Sequence, residues 1–197
     1  DESINMNSRD LLIDGLNTFI RNFSVSTEMN SDGELIGGIS GTMKSIGAAI
    51  RKFRPSRVII AFDGKGGSQR RRAIFKDYKH NRKTRSRLNR VYDFHSDEDE
   101  KESSQKQLMR LVMYLHQLPV TIVAPDNVEA DDTIARMALA AVDLGGEAII
   151  LSTDRDFLQL VNDKISVYNP VLDVVFTPKL VIEKYEIHPN NFLIYRM

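Results

Sequence analysis

Short apolar runs that end in an acid alternate along this chain with amphipathic stretches of helical period. "LLID" (11–14), "RVIIAFDG" (57–64), "VTIVA" (120–124) and "EAIILSTD" (147–154) are too short and too uniformly apolar for surface helices, and read as strands buried on both faces. Between them, "ELIGGISGTMKSIGAAIRKF" (34–53) places Ile39, Met43, Ile46, Ala49, Ile50 and Phe53 on one helical stripe, with Pro55 beyond its end. "SQKQLMRLVMYLHQL" (104–118) predicts another helix. A third begins at Ala130, carries Ile134, Met137, Ala138 and Ala141, and stops at Gly145-Gly146. "RDFLQLV" opens a further helix, "KISVYNP" and "VVFTP" predict two late strands, and "PKLVIEKY" (178–185) a short last helix. This alternation predicts an α/β fold with a mostly parallel central sheet and helices on both faces, as one domain over 1–197. The stretch 66–103 breaks the rhythm. It is too long and polar for an ordinary connection and reads as an insertion, with 84–103 a candidate for disorder.

Composition narrows the class. The 197 residues suffice for one real core. With no cysteine, disulfides and thiolate zinc sites are excluded. No apolar run approaches the roughly 20 residues of a membrane helix, and "DESINMNSRD" lacks the basic start and apolar stretch of a signal peptide. A cytoplasmic protein is expected. The first residue is not Met, so a trimmed chain is expected as well. The 27 basic and 27 acidic residues cancel, but they are segregated. Between Arg70 and Arg90 there are ten Lys or Arg (70, 71, 72, 76, 79, 82, 83, 85, 87 and 90) and one acid, Asp77; "DFHSDEDEKE" follows at once. Local fields, rather than the net charge, decide whether a polyanion binds.

The acids at the strand ends carry the chemistry. In open α/β sheets, ligands bind beyond the carboxyl ends of the strands. Asp14, Asp63 and Asp154 each close an apolar strand, and Asp156 lies two residues beyond Asp154. In "NVEADDTIARMALAA", Glu129, Asp131 and Asp132 open the helix that follows "VTIVA". Acids in a first helical turn are ordinary, since they meet unpaired N–H groups and the positive dipole end, and Asp126 with Glu129 fits a capping pattern. Seven carboxylates from four junctions at one edge are a different matter. Two unit charges about 5 Å apart repel by roughly 3 kcal/mol at an effective dielectric near 20, so protons or cations must compensate. Hard divalent cations suit oxygen donors, and none of the four histidines lies at these junctions. Capping and metal binding can coexist at a single residue.

These motifs resemble the 5′-nuclease family: flap endonucleases, the 5′-nuclease domain of bacterial DNA polymerase I, and the phage 5′–3′ exonucleases and ribonuclease H. "LLIDGLN" and "IIAFDG" are similar to the family's first two acidic strands, "VEADDTIA" to its Glu-x-Asp-Asp helix, "ILSTDRDFLQLV" to its Thr-Asp-x-Asp segment, and "FKDYKHNRK" to the basic helix of its arch. The resemblance covers most of the chain and is of phage or bacterial flavour. It implies a PIN-like catalytic domain with a basic helical arch at about 66–103. Asp14, Asp63, Glu129, Asp131, Asp132, Asp154 and Asp156 would bind Mg²⁺ or Mn²⁺, two ions in the complete enzyme. Lys79 and Arg82 would act on the scissile phosphate. Arg70, Arg71, Arg72, Lys76, Tyr78 and Lys83 would contact nucleic acid. The substrates implied are DNA 5′ ends, flaps and nicked or branched duplexes, or RNA–DNA hybrids, in replication and repair, cut by a monomer in a bacterial or phage-infected cell. Family members continue into an acid-rich segment that opens a helix–hairpin–helix element. This chain ends at "NNFLIYRM", where that segment would begin, so the DNA-binding element is expected to be absent and cleavage weak.

From the residues alone, Arg70 to Arg90 is a phosphate-contacting surface whose binding depends on salt, with Phe75 and Tyr78 able to stack on bases. It reads equally as a solvated helical face or a basic loop. "GGISG" (37–41) allows close backbone approach, to a duplex or to a packed helix. Asn17 either orients a carboxylate or caps a turn. Two other functions stay open: a PIN-type ribonuclease, and a DNA-binding scaffold whose acidic site is incomplete.

Overall fold

The structure, a computed structural model, describes residues 8–67 and 87–192. Six strands form one sheet: β1 (Arg9–Asp14), β2 (Arg57–Ala61), β3 (Thr121–Val123), β4 (Glu147–Leu151), β5 (Ile165–Asn169) and β6 (Val174–Phe176). Their order is β3-β2-β1-β4-β5-β6, parallel throughout except for the antiparallel β5–β6 pair. Ile13 of β1 stands beside Ile60 of β2 and Leu151 of β4. Strand order reverses between β1 and β4, which places the crevice of a doubly wound sheet there.

Alternate residues of the same strand feed different cores, as the strand period of two requires. Leu11 and Ile13 face α1 (Gly15–Phe23), α2 (Gly37–Phe53) and α3 (Asp97–Leu115), packing on Phe19, Phe23, Ile46 and Leu111. Leu12 faces the opposite layer, with α4 (Ala130–Asp143), the 3₁₀ turn Arg155–Leu160 and α5 (Pro178–Tyr185), packing with Ile134, Ala138, Phe157 and Val181. The expected α/β sheet covered on both faces is therefore present. Helix α4 stops as expected, with Gly145 at φ +84° just past its C-cap, Leu144.

Several elements depart from the sequence reading. Helix α1 was not anticipated; Asp14 caps it by accepting the Asn17 N–H. Arg155–Leu160 is a 3₁₀ turn, not the start of an α-helix. Helix α3 begins seven residues before its predicted start. Ser96 accepts the Asp99 N–H, and four acids, Asp97 to Glu100, occupy the first turn where the dipole favours them. The expectation of disorder over 84–103 fails for residues 87–103. Glu100 is buried and accepts the N–H groups of Leu88 (3.1 Å) and Asn89 (2.6 Å). Asn89 donates its amide to the carbonyls of Phe23 and Ser26, and the Arg90 N–H reaches Ser24. The far end of the polar insertion is thus stapled to the loop after α1. Glu100→Gln, which keeps only one acceptor oxygen, is expected to cost about 1–2 kcal/mol and lower Tm by roughly 3–6 °C in thermal unfolding followed by circular dichroism.

The glycines of "GGISG" serve helix packing. A Cβ on Gly38 would lie 2.5 Å from the Phe19 ring, and one on Gly41 2.6 Å from the Asn22 amide oxygen. Among the described residues, no helix is long and apolar enough to cross a membrane.

Candidate active-site edge

Each predicted acid lies where a strand hands over to the next element. Asp14 ends β1, Asp63 follows β2, Glu129, Asp131 and Asp132 open α4 after β3, and Asp154 and Asp156 follow β4. Since β3, β2, β1 and β4 are consecutive parallel neighbours, all four junctions fall on one edge, with Asp14 and Asp154 at the crevice itself. Glu129 is 3% exposed; Asp63, Asp132, Asp154 and Asp156 are exposed.

The charges sense one another. Asp14 is pushed up from 3.8 to about 6, chiefly by burial. The Asn17 N–H opposes the rise, while the charges of Asp63, Asp131 and Asp154 add to it. Three of the four junctions are therefore felt at one carboxyl group.

The side chains also cap, and not as the sequence suggested. Glu129 is the N-cap residue of α4 but makes no side-chain cap bond. The N–H of Ala130 is instead taken by Asp63, at 2.8 Å, from across the sheet edge. The Asp126–Glu129 capping pattern is thus replaced by a tertiary cap. Asp154 accepts the Asp156 N–H at 2.9 Å, and Asp131 the Asp132 N–H at 3.2 Å. In this arrangement no three His, Cys, Asp or Glu side chains among the described residues stand close enough to hold one ion. The edge is common to the acids; the directions of several carboxylates serve local N–H donors. Its donor set is hard oxygen, and four junctions bring carboxylates to it, which is the chemistry a divalent cation fits.

Two features escaped the sequence reading. Thr153 is clasped by Asn17: the Asn17 amide donates to Thr153 Oγ1 (2.9 Å), and its oxygen accepts the Thr153 N–H (3.1 Å) and hydroxyl (3.1 Å). Beside Asp154, a cavity of about 830 Å³ is bordered by Arg21, Arg87, Arg90 and Arg155 over a floor that includes Leu158 and Phe176. Arg21 Nε is buried with no hydrogen-bond partner among the described residues, and burial pushes this guanidinium down from its usual value. Arg87 and Arg90, at the described end of the basic run visible in sequence, line this cavity with Asp154; the Asn89–Glu100 bonds that hold this end of the insertion left no mark in the sequence. Lys79 and Arg82, and the contact residues Arg70, Arg71, Arg72, Lys76, Tyr78 and Lys83, lie outside the described residues.

The fold and the acids at its edge define the class: a doubly wound α/β domain with an acidic crevice at its switch point. The chain belongs to the family of the 5′-3′ exonuclease N-terminal resolvase-like domain, whose pattern matches residues 9–186. It is 29% identical over 185 residues to a 5′-3′ exonuclease of Buchnera aphidicola, covering 93% of this chain and 59% of that protein. It is 29% identical over 189 residues to the flap endonuclease Xni of Shewanella piezotolerans, covering 94% and 65%. In fold it is similar to the bacteriophage T5 D15 flap endonuclease, in a complex with DNA and metal ions (TM-score 0.72, 18% identity, 94% of this chain and 64% of that one). The chain spans about three fifths of the length of the curated relatives it matches.

Proposed function

We propose that this chain is the catalytic domain of a divalent-metal-dependent, structure-specific 5′-nuclease that hydrolyses phosphodiester bonds in DNA or RNA–DNA hybrids at 5′ ends and flaps. The observation that carries the reading is the meeting of acids from four strand junctions at one sheet edge, with Asp14 and Asp154 at the switch point. Exonucleases and a flap endonuclease among its relatives, and a DNA- and metal-bound neighbour, support it. Asp14, Asp63, Glu129, Asp131, Asp132, Asp154 and Asp156 hold Mg²⁺ or Mn²⁺, two ions in the complete protein. Held there, divalent cations would supply a more acidic water and stabilisation of negative charge on the phosphoryl and leaving oxygens. Lys79 and Arg82 neutralise the scissile phosphate. A water oxygen bonds to phosphorus as the bond from phosphorus to the 3′ oxygen breaks, and the proton that water loses is balanced by the one the 3′ oxygen takes up, leaving a 5′-phosphate and a 3′-hydroxyl. Arg70, Arg71, Arg72, Lys76, Tyr78 and Lys83 hold the strand, and the four arginines that line the cavity with Asp154 add positive charge beside the acidic edge. The protein acts as a monomer in the cytoplasm of a bacterial or phage-infected cell.

The test is cleavage of a 5′-labelled flap and a nicked duplex, in the protein extended to the length of its relatives. Cutting with Mg²⁺ or Mn²⁺ that EDTA abolishes is expected. No cutting across both ions removes the proposal, and salt-sensitive binding without turnover would instead favour the scaffold reading. Preference for single-stranded RNA over flap DNA would point to a PIN-type ribonuclease.

A further inference from the structure

We infer that Asn17 is the positioning residue of the acidic edge, a clasp that fixes the Asp154 turn against Asp14 across the switch point. The inference rests on the metal-binding reading given above. Strands β1 and β4 run side by side up to Ile13 and Leu151. Beyond that pair the two chains part, one into α1 and the other into Ser152-Thr153-Asp154. The turn is tied toward β5 by the Ser152 N–H on Tyr168 (3.2 Å), and Ser152 Oγ accepts the Asp154 N–H (3.1 Å). Toward β1, the Asn17 side chain bridges the gap through its hydrogen bonds to Thr153. Because a backbone N–H can only donate, the Thr153 N–H fixes the carboxamide with its oxygen inward, and the NH₂ then falls on Thr153 Oγ1. The backbone N–H of the same Asn17 is held by Asp14 Oδ1 at 3.1 Å. Asn17 therefore touches the carboxylate of Asp14 and, 136 residues away in sequence, the backbone of Thr153 just ahead of Asp154.

Neither Asn17 nor Thr153 carries charge, and the Asn17 oxygen is committed to two donors. The pair sets the spacing of acids that repel each other. Without the clasp, repulsion can push the Asp154 turn away from Asp14, and an ion between them must first draw it back. Partners that orient metal-binding groups typically change affinity about 10- to 100-fold.

Direct Mn²⁺ titration, reading free Mn²⁺ by electron paramagnetic resonance at 10 °C, tests this in wild type, Asn17→Ala, Thr153→Val, Thr153→Ser and the Asn17→Ala/Thr153→Val double variant. Circular dichroism checks that each is folded at that temperature. Asn17→Ala is expected to raise the Mn²⁺ Kd about tenfold. Thr153→Val is expected to weaken binding less, because the backbone N–H survives. The double variant should match Asn17→Ala, since both changes break one device, and Thr153→Ser should restore wild-type affinity. Wild-type affinity in a folded Asn17→Ala protein overturns the inference, as does full additivity of the two losses. Asp14→Asn separates the two levels. If it abolishes Mn²⁺ binding while Asn17→Ala leaves it intact, only the clasp is wrong. If wild type and Asp14→Asn bind Mn²⁺ alike, the metal reading of the edge falls and the clasp falls with it.

Discussion

Replacing Asp14 with asparagine is expected to stabilise the metal-free protein while lowering cleavage at least about a thousandfold. Both effects come from one carboxyl group. In the folded chain it is pushed up to about 6, first by burial and then by Asp63, Asp131 and Asp154. A folded-state value above the ordinary 3.8 means that folding favours the protonated form. The penalty is therefore absent below about pH 4, grows between pH 4 and 6, and is complete above pH 6. Two pKa units correspond to about 3 kcal/mol, which solvent screening of a half-buried group brings nearer to 2. Metal-free wild type should therefore gain about 4–8 °C in Tm as the pH is lowered from 7 to 4.5. Asp14→Asn should start from the higher value at pH 7 and lose most of that slope. Glu34 does not mask the effect. Hydrogen bonds from Lys106, Arg110 and Asn30 hold it down at about 2, so its contribution fades only at lower pH. Calorimetry of both proteins in EDTA at pH 4.5, 5.5 and 7 decides it. Parallel pH slopes would mean that neither burial nor the neighbouring acids raise Asp14 in the fold.

A group that destabilises its own fold at the pH where it works is a sign of function rather than of architecture. That strain was legible in the sequence as far as strand pairing could carry it. The runs at Leu11–Ile13, Val58–Ala61 and Ala148–Leu151 are continuous because both faces of their strands are buried, and continuity survives without knowledge of the partners. Once those runs are strands, Asp14, Asp63 and Asp154 must lie at their ends. What the sequence could not carry was side-chain direction. Asp126 and Glu129 match a local capping pattern, yet the N–H of Ala130 goes to Asp63, 67 residues away. A tertiary acceptor leaves no mark on local spacing. The start of α3 was hidden for a related reason. Asp97 to Glu102 reads as a solvated run or as a cap on the next helix, and its first four acids do occupy the first turn of α3; the burial of Glu100 depends on the N–H groups of Leu88 and Asn89 folding back onto it. Helix α1 was missed because its nine residues carry only Thr18, Phe19 and Phe23 as inward positions beyond Gly15, a pattern too brief to assert a period.

The same edge contains a position where adding one carbon should undo the arrangement. Gly64→Ala is expected to lower stability by about 3 kcal/mol, and Tm by roughly 6–12 °C. A Cβ built there lies 1.7 Å from the Pro125 carbonyl oxygen and 2.4 Å from its carbon. The obstacle is backbone, so no side-chain rotation relieves it. Nor can the loop withdraw cheaply. The Phe62 N–H binds Val123 at 2.9 Å, the Gly64 N–H binds Val128 at 3.0 Å, and the Asn127 N–H binds Lys65 at 2.9 Å, closing the two loops on each other. Any displacement that admits the methyl group also moves Asp63 from the Ala130 N–H that it caps, so the acidic edge should be disturbed along with the fold. Gly33→Ala is the control. There the added Cβ meets nothing within 4 Å, and only the positive φ of +77° opposes it, a strain of about 1–2 kcal/mol. Thermal unfolding of the two variants beside wild type separates crowding from backbone strain. A Gly64→Ala protein that melts within 3 °C of wild type would mean that the loops after β2 and β3 are not closed on each other, and that Asp63 reaches the start of α4 by some other path.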